Sequence, residues 1–248
     1  MRLDVALVER SLVPSRNKAQ QYIPQGIVFV NGIAVTKRSY EVQDTDVIEV
    51  RSQDTQYVSR GAYKLLGALD AFTPMGFPNI AGKYCLDIGA STGGFTQVLL
   101  ERGAAKVIAL DVGHDQLAAV LKADARVVEL SGMNIRSTTR EDVPFAAQIV
   151  VSDVSFISLT YVIPHIADLV SDDAHALLLI KPQFEVGRAA LDKHGIVTHE
   201  ADRKRAVDTV CTCARQNGWV VEQIIDSPIT GTHGNAEFLL WLRRSENN

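Results

Sequence analysis

Apolar positions recur in two rhythms along the 248-residue chain, and the change of rhythm divides it. Leu3 and Leu7 lie one helical turn apart, and Ser15 is placed to cap a second helix over 16–23. Ile27-Val-Phe-Val30 is a strand run, Asn31-Gly32 is a two-residue hairpin signal, and Asp46-Val-Ile-Glu-Val50 reads as another strand. Residues 51–59 are polar and aperiodic, which suits a linker. A helix-like stretch over 61–71 follows. Apolar runs at 84–88, 107–110, 127–130, 149–152, 176–180, 220–225 and 238–242 then alternate with helical segments near 95–102, 115–122, 159–169 and 200–217. That alternation predicts a doubly wound α/β sheet. Only residues 226–235, rich in Gly, Pro and Thr, separate the last two runs, too few for a helical crossover, so the final strand is predicted to run antiparallel. The predicted organisation is a small α+β domain over 1–51, a linker over 52–59, and a seven-stranded, mostly parallel, Rossmann-like domain over 60–248.

Composition narrows the class. With 46% hydrophobic and 22% charged residues the chain is ordinarily globular. No apolar run approaches the roughly 20 residues that span a bilayer, and MRLDVALVER carries charges where a signal peptide needs an apolar stretch. The expectation is a soluble cytoplasmic protein without membrane insertion. Cys85, Cys211 and Cys213 form no CxxC or Cys/His set, and His194, His199 and His233 read as loop or helix-terminal residues, so no metal is expected. The net charge is −4, with residues 1–60 carrying eight Lys/Arg against seven Asp/Glu. A local basic patch is compatible with that balance, but a broadly basic surface is not.

The segment Cys85-Leu-Asp-Ile-Gly89-Ala-Ser-Thr-Gly93-Gly94-Phe95 is a strand entering a glycine turn that opens a helix. Ser91 occupies the place where a dinucleotide loop prefers its second glycine, which suits a ligand without a pyrophosphate. Asp111 ends the next strand 20 residues beyond Ser91, where a carboxylate can accept from both hydroxyls of a ribose. Together Gly89, Ala90, Ser91, Gly93, Gly94, Phe95 and Asp111 favour S-adenosylmethionine over NAD. Asp87 either meets the amino acid end of that cofactor or holds the loop through backbone N–H groups. Asn134 reaches either adenine or a loop carbonyl.

Ligands of open parallel sheets gather at the carboxyl ends of the strands. Asp153 and Lys181 end two predicted strands there, an antiparallel last strand brings Glu237 to the same edge, and Lys64 lies in the preceding helix-like stretch. Methylating a ribose 2′-hydroxyl requires a base for the hydroxyl proton and alignment of the electrophile. A lysine is such a base only when neutral; burial and a second cation favour that state and carboxylates oppose it while orienting the groups. The alternative is two surface ion pairs.

Met1-Arg-Leu-Asp4, Ser15-Arg-Asn-Lys-Ala19, Val30-Asn-Gly32, Ser59-Arg-Gly-Ala-Tyr-Lys-Leu65, Asp87-Ile-Gly-Ala-Ser-Thr-Gly-Gly-Phe95, Asp153-Val-Ser-Phe-Ile-Ser158 and Lys181-Pro-Gln-Phe-Glu-Val-Gly187 run through nearly the whole chain. As a set they resemble the TlyA family, related to the FtsJ-type RNA 2′-O-methyltransferases and often labelled hemolysins. The resemblance implies a class I methyltransferase fold and a Lys64–Asp153–Lys181–Glu237 tetrad with Lys181 as base. It further implies an RNA-binding fold over residues 1–50 of the kind first known from a ribosomal small-subunit protein, and ribosomal RNA or ribosomal subunits as partner. Given that resemblance, Arg2, Arg16, Lys18, Lys37 and Arg38 become candidate phosphate contacts instead of ordinary solvated charges. Tyr57, in the linker, is either a domain-positioning residue or a plain exposed aromatic. Residues 193–198 are expected to form a flap that orders with RNA.

Other classes fit less well. An exocyclic-amine methyltransferase would show a [DN]PP[YF]-type motif where this chain has Asp153-Val-Ser-Phe156, and a cytosine C5 enzyme would need a nucleophilic cysteine near the cofactor edge. A membrane-lytic protein would need a spanning segment, an inserting hairpin or a strong lipid-binding helix. A catalytically silent RNA-binding factor would share the fold but transfer no methyl group. The sequence leaves the oligomeric state open.

Overall fold

The computed structural model describes residues 1–10, 12–13, 15–50, 57–231 and 234–245; most of the expected linker, and His233, lie outside the described residues. The chain divides into two compact units, Met1–Gln56 and Tyr57–Asn248.

In the first unit, α1 (Leu3–Glu9) buries Leu3, Ala6 and Leu7, the i, i+3, i+4 stripe of an amphipathic helix. Ser15 caps α2 (Arg16–Tyr22), its Oγ accepting from the Lys18 N–H at 3.3 Å. β1 (Val28–Val30) lies between β2 (Ile33–Ala34) and β3 (Ile48–Val50), antiparallel to both. Asn31 and Gly32 turn β1 into β2 with φ of 50° and 80°, the geometry for which Asn-Gly is selected.

The second unit is a seven-stranded sheet: β4 (Tyr84–Ile88), β5 (Lys106–Asp111), β6 (Val127–Ser131), β7 (Ala147–Ser152), β8 (Val170–Ile180), β9 (Trp219–Asp226) and β10 (Phe238–Arg244), in the order β6-β5-β4-β7-β8-β10-β9. β4 to β8 are mutually parallel, and β10 is antiparallel to β8 and to β9. Successive strand residues face opposite sides, so Cys85, Val107 and Ala109 pack with α3 (Ala62–Phe72) and α4 (Gly94–Glu101), while Leu86, Ile88, Ile108 and Leu110 pack on the other face with α6 (Ile163–Ile166) and α8 (Glu200–Gln216).

Three expected elements differ from those observed. The helix expected over 115–122 is one turn, α5 (Ala119–Lys122), because the chain first loops back: the Gly113 N–H donates to Asp111 Oδ1 and Asp115 takes a φ of 52°. The helix expected over 159–169 is broken into a 3-10 turn at Leu159–Tyr161, α6, and a second 3-10 turn at Ala167–Leu169. Pro164 lacks an N–H, so it begins a helix and cannot carry one through. β8 begins at Val170, six residues before its apolar run, because its first part sits at the sheet's exposed end.

Candidate active site

β4 has β5 on one side and β7 on the other, so connections leave in opposite directions and a crevice opens at the strand carboxyl ends. The glycine turn sits at that crevice. Gly89 takes a φ of 80° with Val154 Cγ1 3.0 Å from where a Cβ would stand, and Gly93 takes a φ of 95° under Leu117 and Leu121; neither position admits a side chain without strain. Gly94 has another use: a Cβ there would run into Ser59 and approach the Ala62 backbone nitrogen at 3.1 Å, so the glycine lets α3 lie close to α4. Phe95 is buried in the same core. Asp111 accepts the Ser91 N–H on Oδ2 and the Gly113 N–H on Oδ1, each at 2.7 Å. A carboxylate offers about four acceptor sites, so two remain beside a narrow cavity lined by Ala90, Ser91, Asp111, Gly113, Gln116 and Ser131. Those lone pairs, next to a turn that brings backbone close, fit the ribose and adjoining atoms of S-adenosylmethionine.

Asp87 lies beneath the turn, 1% exposed. Thr96 Oγ1 donates to its Oδ2 at 2.7 Å, and Oδ1 has no hydrogen-bond partner among the described residues. Burial pushes this carboxyl up to about 7 against the Thr96 hydrogen bond, with help from the charges of Asp153 and Asp111. Asn134 Oδ1 accepts the Arg136 N–H at 3.0 Å and caps the turn after β6, a backbone N–H where a loop carbonyl or adenine was expected as its partner.

The four charged candidates come together. Phe238 is paired with Ile180 in the antiparallel β8–β10 ladder, so Glu237 and Lys181 leave the sheet side by side. Lys64 Nζ lies 2.7 Å from Glu237 Oε2 and 3.7 Å from Asp153 Oδ2, and Lys181 Nζ lies 2.6 Å from Asp153 Oδ1. These are not exposed pairs: Lys64 and Lys181 are each 8% exposed and Glu237 3%. Each carboxylate thus faces an ammonium at close range, and the four side chains form one alternating row of charges, Glu237–Lys64–Asp153–Lys181. Sequence reasoning missed Ser155, whose Oγ receives a hydrogen bond from Lys181 Nζ at 2.7 Å; its place two residues beyond Asp153 on the strand-end turn was the available signal. It also missed Gly113 and Thr96, whose partners are recognisable only once the loop and turn are folded.

In the first unit, Arg2 and Arg16 both engage Asp4, whose side chain is fully buried, with Nε–Oδ distances of 3.0 Å each. Gln20 adds a third donor at 3.3 Å. Burial pushes Asp4 upward, and the donors from Arg2, Arg16 and Gln20 outweigh it and hold the carboxyl at about 2. Lys18 lies 4.8 Å above the Tyr22 ring. Lys37 and Arg38 are exposed on the loop after β2. Tyr57 meets Tyr63 edge-on at 5.4 Å, and the neighbouring Val58 N–H donates to Gln97 at 2.9 Å.

The cysteines are poorly placed for nucleophilic work, since burial pushes Cys85 up to about 12 and raises Cys211 and Cys213 as well. Among the described residues no group of three or more His, Cys, Asp and Glu is arranged to hold a metal, and no helix is long and apolar enough to cross a membrane.

Residues 57–244 match the FtsJ-like methyltransferase family model and residues 1–48 the S4 domain. The chain is 44% identical to the 16S/23S rRNA (cytidine-2′-O)-methyltransferase TlyA of Mycobacterium tuberculosis over 98% of this chain and 89% of that protein. It is 42% identical to Hemolysin A of Brachyspira hyodysenteriae, covering 96% of this chain and 98% of that one. A solved structure of a Streptococcus thermophilus protein described as a hemolysin superposes with a TM-score of 0.80 at 35% identity, covering 100% of this chain and 89% of that chain. A glycine turn beside a strand-end carboxylate, a charge cluster at the sheet edge and an S4 domain thus occur together in one sequence: this chain belongs to the TlyA family of FtsJ-like methyltransferases.

Proposed function

We propose that the protein transfers a methyl group from S-adenosylmethionine to a ribose 2′-hydroxyl, of the cytidine 2′-O type, in ribosomal RNA. The observation that carries this reading is the buried Lys64–Asp153–Lys181–Glu237 cluster, beside the crevice that Asp111 and the glycine turn border. S-adenosylmethionine supplies a methyl carbon already activated by its sulfonium, so the protein's tasks are to align the hydroxyl and accept its proton.

Lys181 suits the second task. In its neutral form the Nζ lone pair takes the 2′-hydroxyl proton, and the ammonium so formed stands 2.6 Å from Asp153 Oδ1, which stabilises the charge where it appears. Ser155 limits the directions in which that nitrogen can point. Lys64, held by Glu237, sits on the other oxygen of Asp153, so the carboxylate is shared between two cations and its position is fixed from both sides. Gly89, Ser91 and Asp111 orient the donor, with Asp87 beneath the turn. The S4 domain, with Lys18, Lys37 and Arg38 exposed or partly exposed and Arg2 and Arg16 half turned to solvent, supplies contacts to a folded RNA backbone. The names of the relatives and the S4 match favour ribosomal RNA as that partner.

The test is to incubate separately purified ribosomal subunits with labelled S-adenosylmethionine and map the modified nucleotide. Label in a 2′-O-methylnucleoside supports the reading; label confined to a base methyl, or none on either subunit, sinks it.

A further inference from the structure

Outside the charge cluster, one buried polar side chain ties the catalytic edge to a distant part of the second unit. Asn235 is 4% exposed, and both ends of its amide are engaged. Oδ1 accepts the Val197 N–H and Nδ2 donates to the Gly195 carbonyl, each at 3.1 Å. The same residue's backbone carbonyl accepts the Gly231 N–H at 2.9 Å, closing a turn in which Gly231 leaves room for the Glu237 carboxylate. Asn235 therefore stands two residues before Glu237 while holding chain that lies 38 and 40 residues earlier.

The held segment is the expected flap, and it has its own order. Asp192 Oδ1 accepts the N–H groups of His194 and Ile196, each at 2.8 Å, and Val197 is 2% exposed. Arg203 on α8 donates to the carbonyls of Val197 and Thr198 at 3.1 and 3.0 Å. The segment is thus fixed by two side chains, Asn235 before β10 and Arg203 on α8.

We infer that Asn235 is a positioning residue for methyl transfer: by bridging residues 195–197 to the turn that leads into β10, it fixes the Glu237 carboxylate, and through it Lys64, against the reacting edge. The inference rests on the charge cluster being the catalytic centre. An amide with donor and acceptor both used admits one orientation. Its loss leaves the Val197 N–H and the Gly195 carbonyl without partners, and the two chain segments lose their common register. Glu237 then relies on its 2.7 Å pair with Lys64, and rates fall steeply with ångström-scale misplacement of reacting groups. Aspartate at 235 would keep the acceptor for Val197 and lose the donor to Gly195, so it should restore part of the effect.

The experiment compares full-length wild type, Asn235→Ala, Asn235→Asp, Arg203→Ala and Lys181→Ala in steady-state methyl transfer to ribosomal subunits at 25 °C, with Tm and S-adenosylmethionine affinity measured alongside. Asn235→Ala should lower kcat about 30-fold with KM for S-adenosylmethionine within about twofold, and Asn235→Asp should recover part of that loss. Arg203→Ala should lower Tm comparably yet keep kcat within about threefold, because Arg203 bonds only the Val197 and Thr198 carbonyls and leaves the bridge from Asn235 to the segment intact. Equal kcat losses in Asn235→Ala and Arg203→Ala, tracking Tm, would make the role structural and overturn the inference. Full activity in Asn235→Ala beside an inactive Lys181→Ala overturns the inference alone. A wild type that transfers no methyl group, or a fully active Lys181→Ala, overturns the underlying reading and the inference with it.

Discussion

Two buried charge clusters, one in each unit, have opposite characters. Around Asp4 a fully buried carboxylate takes donors from Arg2, Arg16 and Gln20, and its proton affinity is driven down to about 2. Around Asp153 two buried lysines alternate with two carboxylates, Asp153 and Glu237, at 2.6–3.7 Å. Arginine stays protonated, so the Asp4 cluster stabilises one conformation while its half-exposed guanidinium groups can still meet an anion. Lysine, unlike arginine, can act as a neutral base, so the second cluster is the one suited to move a proton. On the proposed function the difference separates a structural ion cluster from a chemical one even though each sets an aspartate between two cations.

Four changes press on that contrast. Lys181→Ala should have the largest effect, lowering methyl transfer by about 10²–10⁴-fold, while S-adenosylmethionine affinity by calorimetry stays within about threefold; a similar loss of affinity would place Lys181 in the cofactor site instead. Asp111→Ala should weaken S-adenosylmethionine binding by about 10–100-fold, since hydrogen bonds to a charged group are worth about 1.5–3 kcal/mol each. Unchanged calorimetric affinity would remove Asp111 from the ribose role.

Asp4→Asn should destabilise the S4 domain by about 1–3 kcal/mol, read as faster amide exchange across residues 1–50 of the full chain, with the methyltransferase domain and its cofactor affinity unaffected. The pH sign supports the same point. Folding lowers the Asp4 carboxyl to about 2, so its stabilisation is present above the ordinary carboxylate range and is lost as pH falls toward 2. Asp87 has the reverse sign. Its carboxyl rises to about 7 on folding, so between about pH 4 and 7 the folded state holds the proton that the unfolded state has lost, and stability declines as pH rises. Asp87→Asn should flatten the Tm profile over that interval, whereas an unchanged slope would mean that another group carries it.

The sequence was most legible where a regular repeat met a conformational demand. Asn31-Gly32 predicted its hairpin because both residues take positive φ, and the short 226–235 connection predicted the antiparallel β10 because no crossover fits in it. The charged candidates were legible because strand ends define a site before any side chain is placed, and β8–β10 register then brings Glu237 beside Lys181. Helical period failed at 115–122 and 159–169, where the Gly113–Asp111 bond and Pro164 override an apolar pattern. Arg2 and Arg16 looked like free cations because Asp4 gives no sign in sequence that it is buried between them. Asn235 was invisible for a related reason: its partners are backbone groups 38 and 40 residues away.

The central claim is that the Lys64–Asp153–Lys181–Glu237 cluster moves a ribose proton during methyl transfer. It is tested most directly by reacting wild type and Lys181→Ala with ribosomal subunits and labelled S-adenosylmethionine, digesting the RNA to nucleosides, and locating the label by mass spectrometry. The account predicts label in 2′-O-methylcytidine with wild type and a near-complete loss with Lys181→Ala at preserved cofactor affinity. Label on a base, or undiminished 2′-O-methylation by Lys181→Ala, would contradict it.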